Sequence, residues 1–400
     1  MMPPCRLGFS IDRMPAPSVA APPPEAALPL LAIAGFASMV AMRLCDAMLP
    51  ALGQSFGVAA SEASAAVSAF AVAYGVMQLL AGTLGDRFGK PRVVASAAAL
   101  CALAAFATAL APDLRTLTLG RVAMGAAAAG IIPMTIAWIG DQVPWERRQV
   151  VLARLLSYTV VGMMTGAWAG GAVADHLGWR WAFAGVGLLL LGAAGGIVAR
   201  GLASVAPPPV VAGQWQHVRA LLADGRARRL FAVTAAEGAL VFGVMAFVPS
   251  LLHQRFGLPL SQAGAVLALF GAGGFAYAHS VAWLLRRVRP AQLAAAGGAL
   301  LCTAFVTLAL APHWAWSLLA CAIGGLGFYG LHGFLQTRAT QLSTEARGSA
   351  VALFACVLFI GQSAGVAAMA ALVARGGATP AMAAAGLALA ALAASQWRQR

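Results

Sequence analysis

The chain has 400 residues, of which 61% are hydrophobic and 10% charged, and its mean hydropathy is +0.83. Soluble domains carry about a quarter of their residues as Asp, Glu, Lys and Arg, so this composition excludes an ordinary soluble fold and predicts a membrane protein. The formal net charge of +14 does not indicate a nucleic-acid partner, because the 26 Lys and Arg residues form short clusters between apolar segments rather than a basic stripe.

Apolar segments of about 20 residues each predict twelve transmembrane helices. Six precede a polar stretch near the middle of the chain and six follow it. They cover residues 28–52, 62–84, 93–111, 115–138, 150–173, 180–199, 230–252, 262–285, 291–311, 314–337, 349–373 and 379–396.

Three polar segments divide the chain. Residues 1–27 are rich in proline and predict a disordered cytoplasmic tail rather than a signal peptide. Residues 200–229 contain three consecutive prolines and five arginines, and they predict a cytoplasmic linker between an N-terminal half at 28–199 and a C-terminal half at 230–396. Residues 397–400 predict a second cytoplasmic tail.

The distribution of positive charge predicts the orientation. With both termini in the cytoplasm, nineteen Lys and Arg residues fall in inside segments and only four in outside segments. Cytoplasmic segments of membrane proteins carry such an excess, so we expect a multi-pass protein of the inner (plasma) membrane. The chain has 25 Arg and 1 Lys among many Ala and Gly residues, a composition typical of a GC-rich bacterial genome.

The two halves match each other at an offset of 199 or 200 residues. Matched pairs occur in the same order along both halves: Pro50 and Pro249, Phe56 and Phe256, Gly125 and Gly325, Gly162 and Gly361, Gly166 and Gly365. An even number of spans in each half makes the repeats parallel. The sequence therefore predicts an all-α membrane protein with twelve transmembrane helices in two parallel six-helix repeats.

Four motifs resemble the major facilitator superfamily. The segment between the second and third spans matches its G-x-L-x-D-R-x-G-[RK] pattern at Gly82, Asp86, Arg87, Gly89 and Lys90, followed by Arg92. Arg121 and Gly125 match an R-x-x-x-G element, and residues 178–183 match G-W-R-W-x-F. Gly162, Gly166 and Gly170 are similar to the antiporter motif G-x-x-x-G-P-x-x-G-G, with Ala167 in place of its proline.

The resemblance implies a fold and a mechanism. It implies two six-helix halves that rock about a midplane site, with the first, fourth, seventh and tenth helices lining a central cavity. The motifs at residues 82–92 and 162–170 then act in the conformational change. Because Ala167 replaces the proline of the antiporter motif, the motif is weaker support for the prediction that the protein exports its substrate. Small residues at this spacing are also common where helices simply pack closely.

Charged side chains within the spans are the candidates for proton coupling, because placing them in hydrocarbon costs several kcal/mol unless they face a partner or water. Asp46 and Arg121 each lie six residues from the outer end of their span, about 9 Å deep. The resemblance places both at the cavity. We therefore expect Asp46 to carry the proton with Arg121 as its switchable partner. The alternative is a static ion pair that fixes helix packing.

Three ionisable residues of the second half fall at one predicted depth. Glu237, His279 and His332 lie about 7 to 10 Å from the cytoplasmic ends of their spans. Glu237 and His332 predict a second proton or cation site, whereas we expect His279 to bond near the surface. The alternative for each is snorkelling or a hydrogen bond to backbone.

Several polar residues are candidates for the substrate cavity. Arg43 lies three residues before Asp46, on the same helix face or its edge, where it contacts an anionic group of the substrate or steadies Asp46. Single polar side chains within spans orient a ligand or join helices by hydrogen bonds. The candidates are Arg43, Tyr158, Tyr329, His332 and Gln362.

The sequence contains no enzyme signature. A G-x-S-x-G elbow, an HExxH pair and a phosphate loop are absent, and the six cysteines lack metal-site or disulfide spacing. We therefore expect no cofactor and no metal, with the proton gradient as energy source and a monomer in the lipid bilayer.

The leading hypothesis is proton-coupled export of a small apolar or cationic organic compound. The alternatives are a proton-coupled importer of a sugar or other metabolite, and a non-transporting receptor on the same fold.

Overall fold

The computed structural model describes residues 24–204, 214–343 and 346–397. Most of the predicted tail at 1–27, part of the linker and residues 398–400 lie outside this range. The elements of the N-terminal half are α1 (Pro24–Arg43), α2 (Leu49–Phe56), α3 (Ala60–Ala63), α4 (Ala65–Phe88), α5 (Lys90–Ala109), α6 (Leu114–Ala128), α7 (Ile131–Gln142), α8 (Trp145–His176) and α9 (Trp179–Ala199).

A short 3-10 turn (Leu202–Ser204) and α10 (Gln214–Ala223) fall in the linker region. The C-terminal half consists of α11 (Gly225–Met245), α12 (Val248–Phe256), α13 (Leu260–Leu284), α14 (Pro290–Leu310), α15 (Trp316–Thr340), α16 (Arg347–Ala374) and α17 (Ala378–Trp397). Every regular element in the described ranges is helical.

Eleven segments of the described chain are long and apolar enough to cross a bilayer. Most of their ends fall within four residues of the predicted spans, and the largest difference is five residues, at Gly225 and Trp145. The remaining predicted span, 28–52, consists of α1 followed by α2, and it is interrupted at residues 44–48. The fold class is therefore as predicted, with the first, second, fourth and seventh spans each divided into two helices.

Proline positions explain why the first and seventh spans are interrupted. Pro50 has no N–H to donate to the carbonyl of Asp46, and Pro249 has none for the carbonyl of Met245. Residues 44–48 form turns in which the N–H of Asp46 donates to the carbonyl of Arg43, three residues back. The equivalent break between α11 and α12 is shorter and covers residues 246–247.

Glycines let helices touch through their backbones inside each half. On α8, a Cβ at Gly162 would lie 2.5 Å from the carbonyl oxygen of Phe36, and one at Gly166 would lie 2.6 Å from that of Val40. In the second half, Gly361 and Gly365 of α16 meet carbonyls of α11 in the same manner. The repeat seen in the sequence is thus a repeat of helix contacts, and this glycine spacing serves close packing in both halves.

The two halves touch along only part of their length. We call the end formed by residues 86–92, 142–148 and 286–289 the arginine-rich end. Contacts between the halves join α8 to α13 and α4 to α16, and they lie from the opposite end to about the middle of the bundle. Asp175, at the end of α8, accepts hydrogen bonds from the backbone of Leu260 and Ser261, where α13 begins. The arrangement is closed at the opposite end.

Aspartate caps α6 outside the membrane-spanning segment. The backbone N–H of Thr116 donates to Asp113 at 2.7 Å, and this hydrogen bond lowers the pKa of the exposed carboxyl below its usual value. Asp224 caps α11 in the same way through the N–H of Arg226. These two carboxylates therefore have a structural explanation and are not site candidates.

Gly166→Ala tests the close packing of α8 on α1. The added methyl group would collide with the carbonyl of Val40, so we expect a loss of about 1 to 3 kcal/mol in stability, the typical cost of overpacking. Thermal unfolding of the purified protein in detergent measures it. The matched control is Gly192→Ala on α9, where a Cβ meets nothing within 4 Å. Equal unfolding temperatures for the two variants would contradict the prediction.

Candidate functional site

A buried ion pair lies at the break of the first span. Nη1 of Arg43 is 3.4 Å from Oδ2 of Asp46, and their side chains are 7% and 1% exposed. The second carboxylate oxygen, Oδ1, is buried without a hydrogen-bond partner. Because a buried, half-satisfied carboxylate is costly, this site favours a proton or a ligand group at Oδ1.

This pair borders a small cavity between the halves. The cavity has a volume of about 30 Å³, enough for one or two water molecules. Met163 and Ala167 of α8 line it from the N-terminal half, together with Arg43 and Asp46. Phe242, Met245, Leu267, Phe270 and other residues line it from the C-terminal half. The walls are apolar apart from the single ion pair.

Arg43 also contacts the opposite half. Its guanidinium lies 4.5 Å from the centroid of the Phe242 ring, a cation–π geometry. At the repeat offset of 199, Arg43 corresponds to Phe242 and Asp46 to Met245. Phe242 and Met245 were not predicted as site residues, although the repeat offset from Arg43 and Asp46 could have identified them.

Among the described residues, Asp46 and Arg121 do not form an ion pair with each other. Arg121 is fully buried, and it donates instead to the backbone carbonyls of Ala41, Met42 and Ala66 at 2.8, 3.4 and 3.1 Å. Its guanidinium also lies 4.2 Å from the Phe70 ring centroid. The break after α1 explains the difference, because it leaves the carbonyl of Met42 without its intrahelical donor.

Glu237 and His332 meet, as their predicted depths suggested. Nδ1 of His332 is 3.1 Å from Oε2 of Glu237, which is fully buried, and Oε1 has no partner. The imidazole is stacked on Phe328, with ring centroids 4.9 Å apart, and Phe328 in turn contacts Phe242 at 5.2 Å. His279 does not join this pair: it is exposed and bonds to the carbonyl of Phe275 on its own helix.

Of the remaining cavity candidates, Tyr329 and Gln362 are packed inside the C-terminal half, whereas Tyr158 is exposed. Tyr329 packs its ring over Gly274, and Gln362 is buried on α16 with an unpartnered Oε1. Tyr158 is 46% exposed and lies five residues before Met163 on α8, about 140° around the helix from it. The structure therefore places Tyr158 away from the cavity between the halves, which corrects its assignment as a cavity residue.

The segment 82–92 forms the turn from α4 to α5 at the arginine-rich end. Gly89 has a φ of 88°, which L side chains rarely adopt, and it ends α4. Lys90 forms an ion pair with Asp141 at the end of α7. Nε of Arg92 donates to the carbonyl of Ala203 at 2.8 Å. The motif thus joins three helix ends of one half.

A family search matches the model described as Major Facilitator Superfamily to residues 31–366. The "Chloramphenicol resistance protein" of Streptomyces lividans is 29% identical over 343 residues, which cover 84% of this chain and 86% of that protein. The "Multidrug export protein EmrB" of Haemophilus influenzae is 26% identical over 153 residues, 38% of this chain and 30% of that protein.

An "Uncharacterized MFS-type transporter" of Mycobacterium tuberculosis is 34% identical over 116 residues, which cover only 29% of this chain and 20% of that protein. Among solved structures, the POT family transporter PepTSo has a TM-score of 0.74 at 13% identity, with 95% of this chain and all of that chain covered. A bacterial homologue of the human lysosomal transporter Spinster, in an inward-facing and unoccupied conformation, has a TM-score of 0.70 at 17% identity over 94% of this chain and 92% of that chain. These two likenesses concern the fold.

Arg121→Lys tests the capping role of the guanidinium. A lysine keeps the charge but cannot reach three carbonyls on two helices, so we expect a loss of about 2 kcal/mol or more in stability. Thermal unfolding in detergent measures it, with Arg154→Lys on the exposed part of α8 as the control. An unchanged unfolding temperature in Arg121→Lys would show that the carbonyls find other donors.

Proposed function

The chain belongs to the major facilitator superfamily, and we propose that it exports a small apolar or cationic organic compound in exchange for protons by alternating access. The observation that carries the proposal is the buried pair of Asp46 and Arg43 beside a cavity that both halves line. A single carboxylate in an otherwise apolar cavity can hold a proton or face a cationic cargo, but it gains little from holding both.

The relatives support export rather than import. Proteins named for chloramphenicol resistance, lincomycin resistance and multidrug export are similar to this chain, and the first of them matches over most of both chains. A largely apolar cavity wall suits a lipophilic cargo better than a sugar, which needs many hydrogen-bond partners.

Exchange of protons for cargo follows because both compete for the carboxylate of Asp46. With the carboxylate ionised, Arg43 is held between Asp46 and Phe242, and a cationic or polarised cargo competes with Arg43 for the carboxylate. With a proton on Asp46, the cargo loses its electrostatic partner and leaves. A proton taken up at the outer face and released at the inner face therefore drives cargo in the other direction.

The conformation supports the same cycle. The halves touch at the end where Asp175 meets the start of α13. Protons and cargo therefore reach Asp46 from the arginine-rich end. We place the arginine-rich end in the cytoplasm, with the protein as a monomer in the bacterial inner membrane. The cavity of about 30 Å³ is too small for an organic cargo, so cargo binding requires the halves to separate along α8 and α13.

Glu237 and His332 form our candidate for a second proton site. The buried carboxylate has one oxygen on His332 and one without a partner, so protonation of either group changes the charge of the pair. His332 is also stacked on Phe328, whose ring contacts Phe242. The second site is thereby in packing contact with the aromatic ring that Arg43 covers.

Asp46→Asn is expected to abolish proton-driven transport while the protein stays folded, because asparagine cannot exchange a proton. Inside-out vesicles that contain the reconstituted protein are given an acidic lumen, and accumulation of chloramphenicol or tetraphenylphosphonium is followed. The wild type should accumulate the probe, and Asp46→Asn should reduce accumulation at least tenfold. Asp113→Asn, which alters an exposed cap, is the control.

The same assay separates the alternatives. Expulsion of preloaded probe by an acidic lumen would identify an importer, and the absence of any gradient-driven movement of a broad panel of compounds would favour a receptor. Full proton-driven accumulation by Asp46→Asn would remove Asp46 from its proposed role while leaving export intact.

Glu237→Gln is expected to keep transport down a cargo gradient but to lower the number of protons released per cargo bound. Glutamine retains the contact with His332 and cannot ionise. Proton release by purified protein in weak buffer, titrated with tetraphenylphosphonium, measures the stoichiometry, with exposed Glu62→Gln as the control. An unchanged stoichiometry would make the pair structural.

A further inference from the structure

A long groove lies within the N-terminal half, outside the pathway between the halves. It has a volume of about 520 Å³ and runs between α4 and α5, with α6 and the start of α7 as its floor. Small residues of the floor, including Ala123, Ala127 and Gly130, leave room that larger side chains would fill. The lining is apolar except near one mouth, where Arg92 and Ser96 contribute polar atoms.

The length of the groove corresponds to one leaflet of a bilayer. Its wall on α4 extends from Phe88 to Met77, about 16 Å along the helix, and its wall on α5 extends from Arg92 to Leu100, about 12 Å. Half of a hydrocarbon core of roughly 30 Å is about 15 Å. The groove therefore begins at the arginine-rich end and finishes near the bilayer midplane.

Positive charge is concentrated at the mouth of the groove. Nε of Arg92 is bound to the carbonyl of Ala203, while its two terminal nitrogens have no hydrogen bond to the described residues. The guanidinium of Arg87 lies 5.3 Å from the ring of Phe88, a lining residue. Lys90 is paired with Asp141, which leaves Arg87, Arg92 and the carboxyl of Asp86 as the other charged groups of the segment 86–92. The mouth thus has a net positive charge.

We propose that this groove binds an acyl chain of an anionic phospholipid, with the phosphate of the headgroup on Arg92. An apolar channel of leaflet length, with the two terminal guanidinium nitrogens of Arg92 at the headgroup level, matches the two parts of that molecule. The groove is built from α4 to α7 of one half, so the rocking of the halves does not open it from one side of the membrane to the other. That position suits a bound lipid rather than a transported cargo.

Ala123→Phe tests the apolar part of the site. Ala123 is exposed in the groove, so a phenylalanine there fills the space without entering the packed core. The full-length protein is purified, exposed to phosphatidylglycerol or phosphatidylethanolamine, and analysed by native mass spectrometry. We expect the wild type to retain phosphatidylglycerol and Ala123→Phe to retain at least tenfold less of either lipid. Ala296→Phe, at an exposed alanine on α14, is the control.

Arg92→Gln tests the headgroup contact. This variant should still bind lipid but lose the preference for phosphatidylglycerol over phosphatidylethanolamine, which we expect to be about tenfold in the wild type. Arg287→Gln, which removes an arginine that lies over Trp283 in the other half, should keep that preference. An unchanged preference in Arg92→Gln would overturn the headgroup assignment.

Two further measurements keep the proposal testable if a variant fails to fold. A phospholipid with a photoreactive group midway along its chain should label wild-type peptides from residues 93–100 or 123–130, and labelling confined to other segments would overturn the proposal. Tetraphenylphosphonium should leave the lipid bound to the wild type, whereas displacement of the lipid by this cation would identify the groove as a cargo site and overturn the lipid assignment. Because neither measurement involves transport, their failure is separate from any failure of export.

Discussion

The structure depends on how an interrupted helix is tolerated inside a membrane. In hydrocarbon every backbone polar group needs a partner within the protein, so a break in a spanning helix is stable only where other groups bind the freed carbonyls. The first span breaks at residues 44–48, and Arg121 of α6 supplies donors to Ala41 and Met42. Pro50 interrupts the helix, this one side chain stabilises the interruption, and the break places Asp46 at the cavity.

The two halves share a scaffold but differ in where their charges lie. Backbone contacts through glycine recur at the repeat offset, as between Gly125 and Phe70 and between Gly325 and Phe270. The charged positions of the first half correspond to apolar ones in the second: Arg121 is matched by Cys321 and Asp46 by Met245. Glu237 is matched by Ser38 in the first half. Duplication thus explains the packing, and later divergence explains the two separate carboxylates.

Most of the helices could be predicted from the sequence, because a span of about 20 apolar residues leaves a strong signal. Depth within a span could also be predicted, and Glu237 and His332 do meet. Depth does not determine rotation about the helix axis, however. Asp46 and Arg121 were placed at equal depth, yet the guanidinium of Arg43, one helical turn away from Asp46, is its partner. Tyr158 was assigned to the cavity because it is a polar residue within a span, which also does not determine the rotation of its side chain about the helix axis.

Two polar contacts between the halves are weak enough for a cargo or a proton to change them. Arg43 touches the neutral ring of Phe242, and Asp175 touches the N-terminus of α13. A cation–π contact and a charge at a helix N-terminus each contribute about 0.5 to 2 kcal/mol. Neither is an ion pair between the halves. Conformational states of a protein commonly differ in free energy by only a few kcal/mol. A change in the charge of Asp46 acts on Arg43, whose contact with Phe242 has a free energy of comparable size. The buried acid is therefore placed where its protonation can alter the balance between the two conformations.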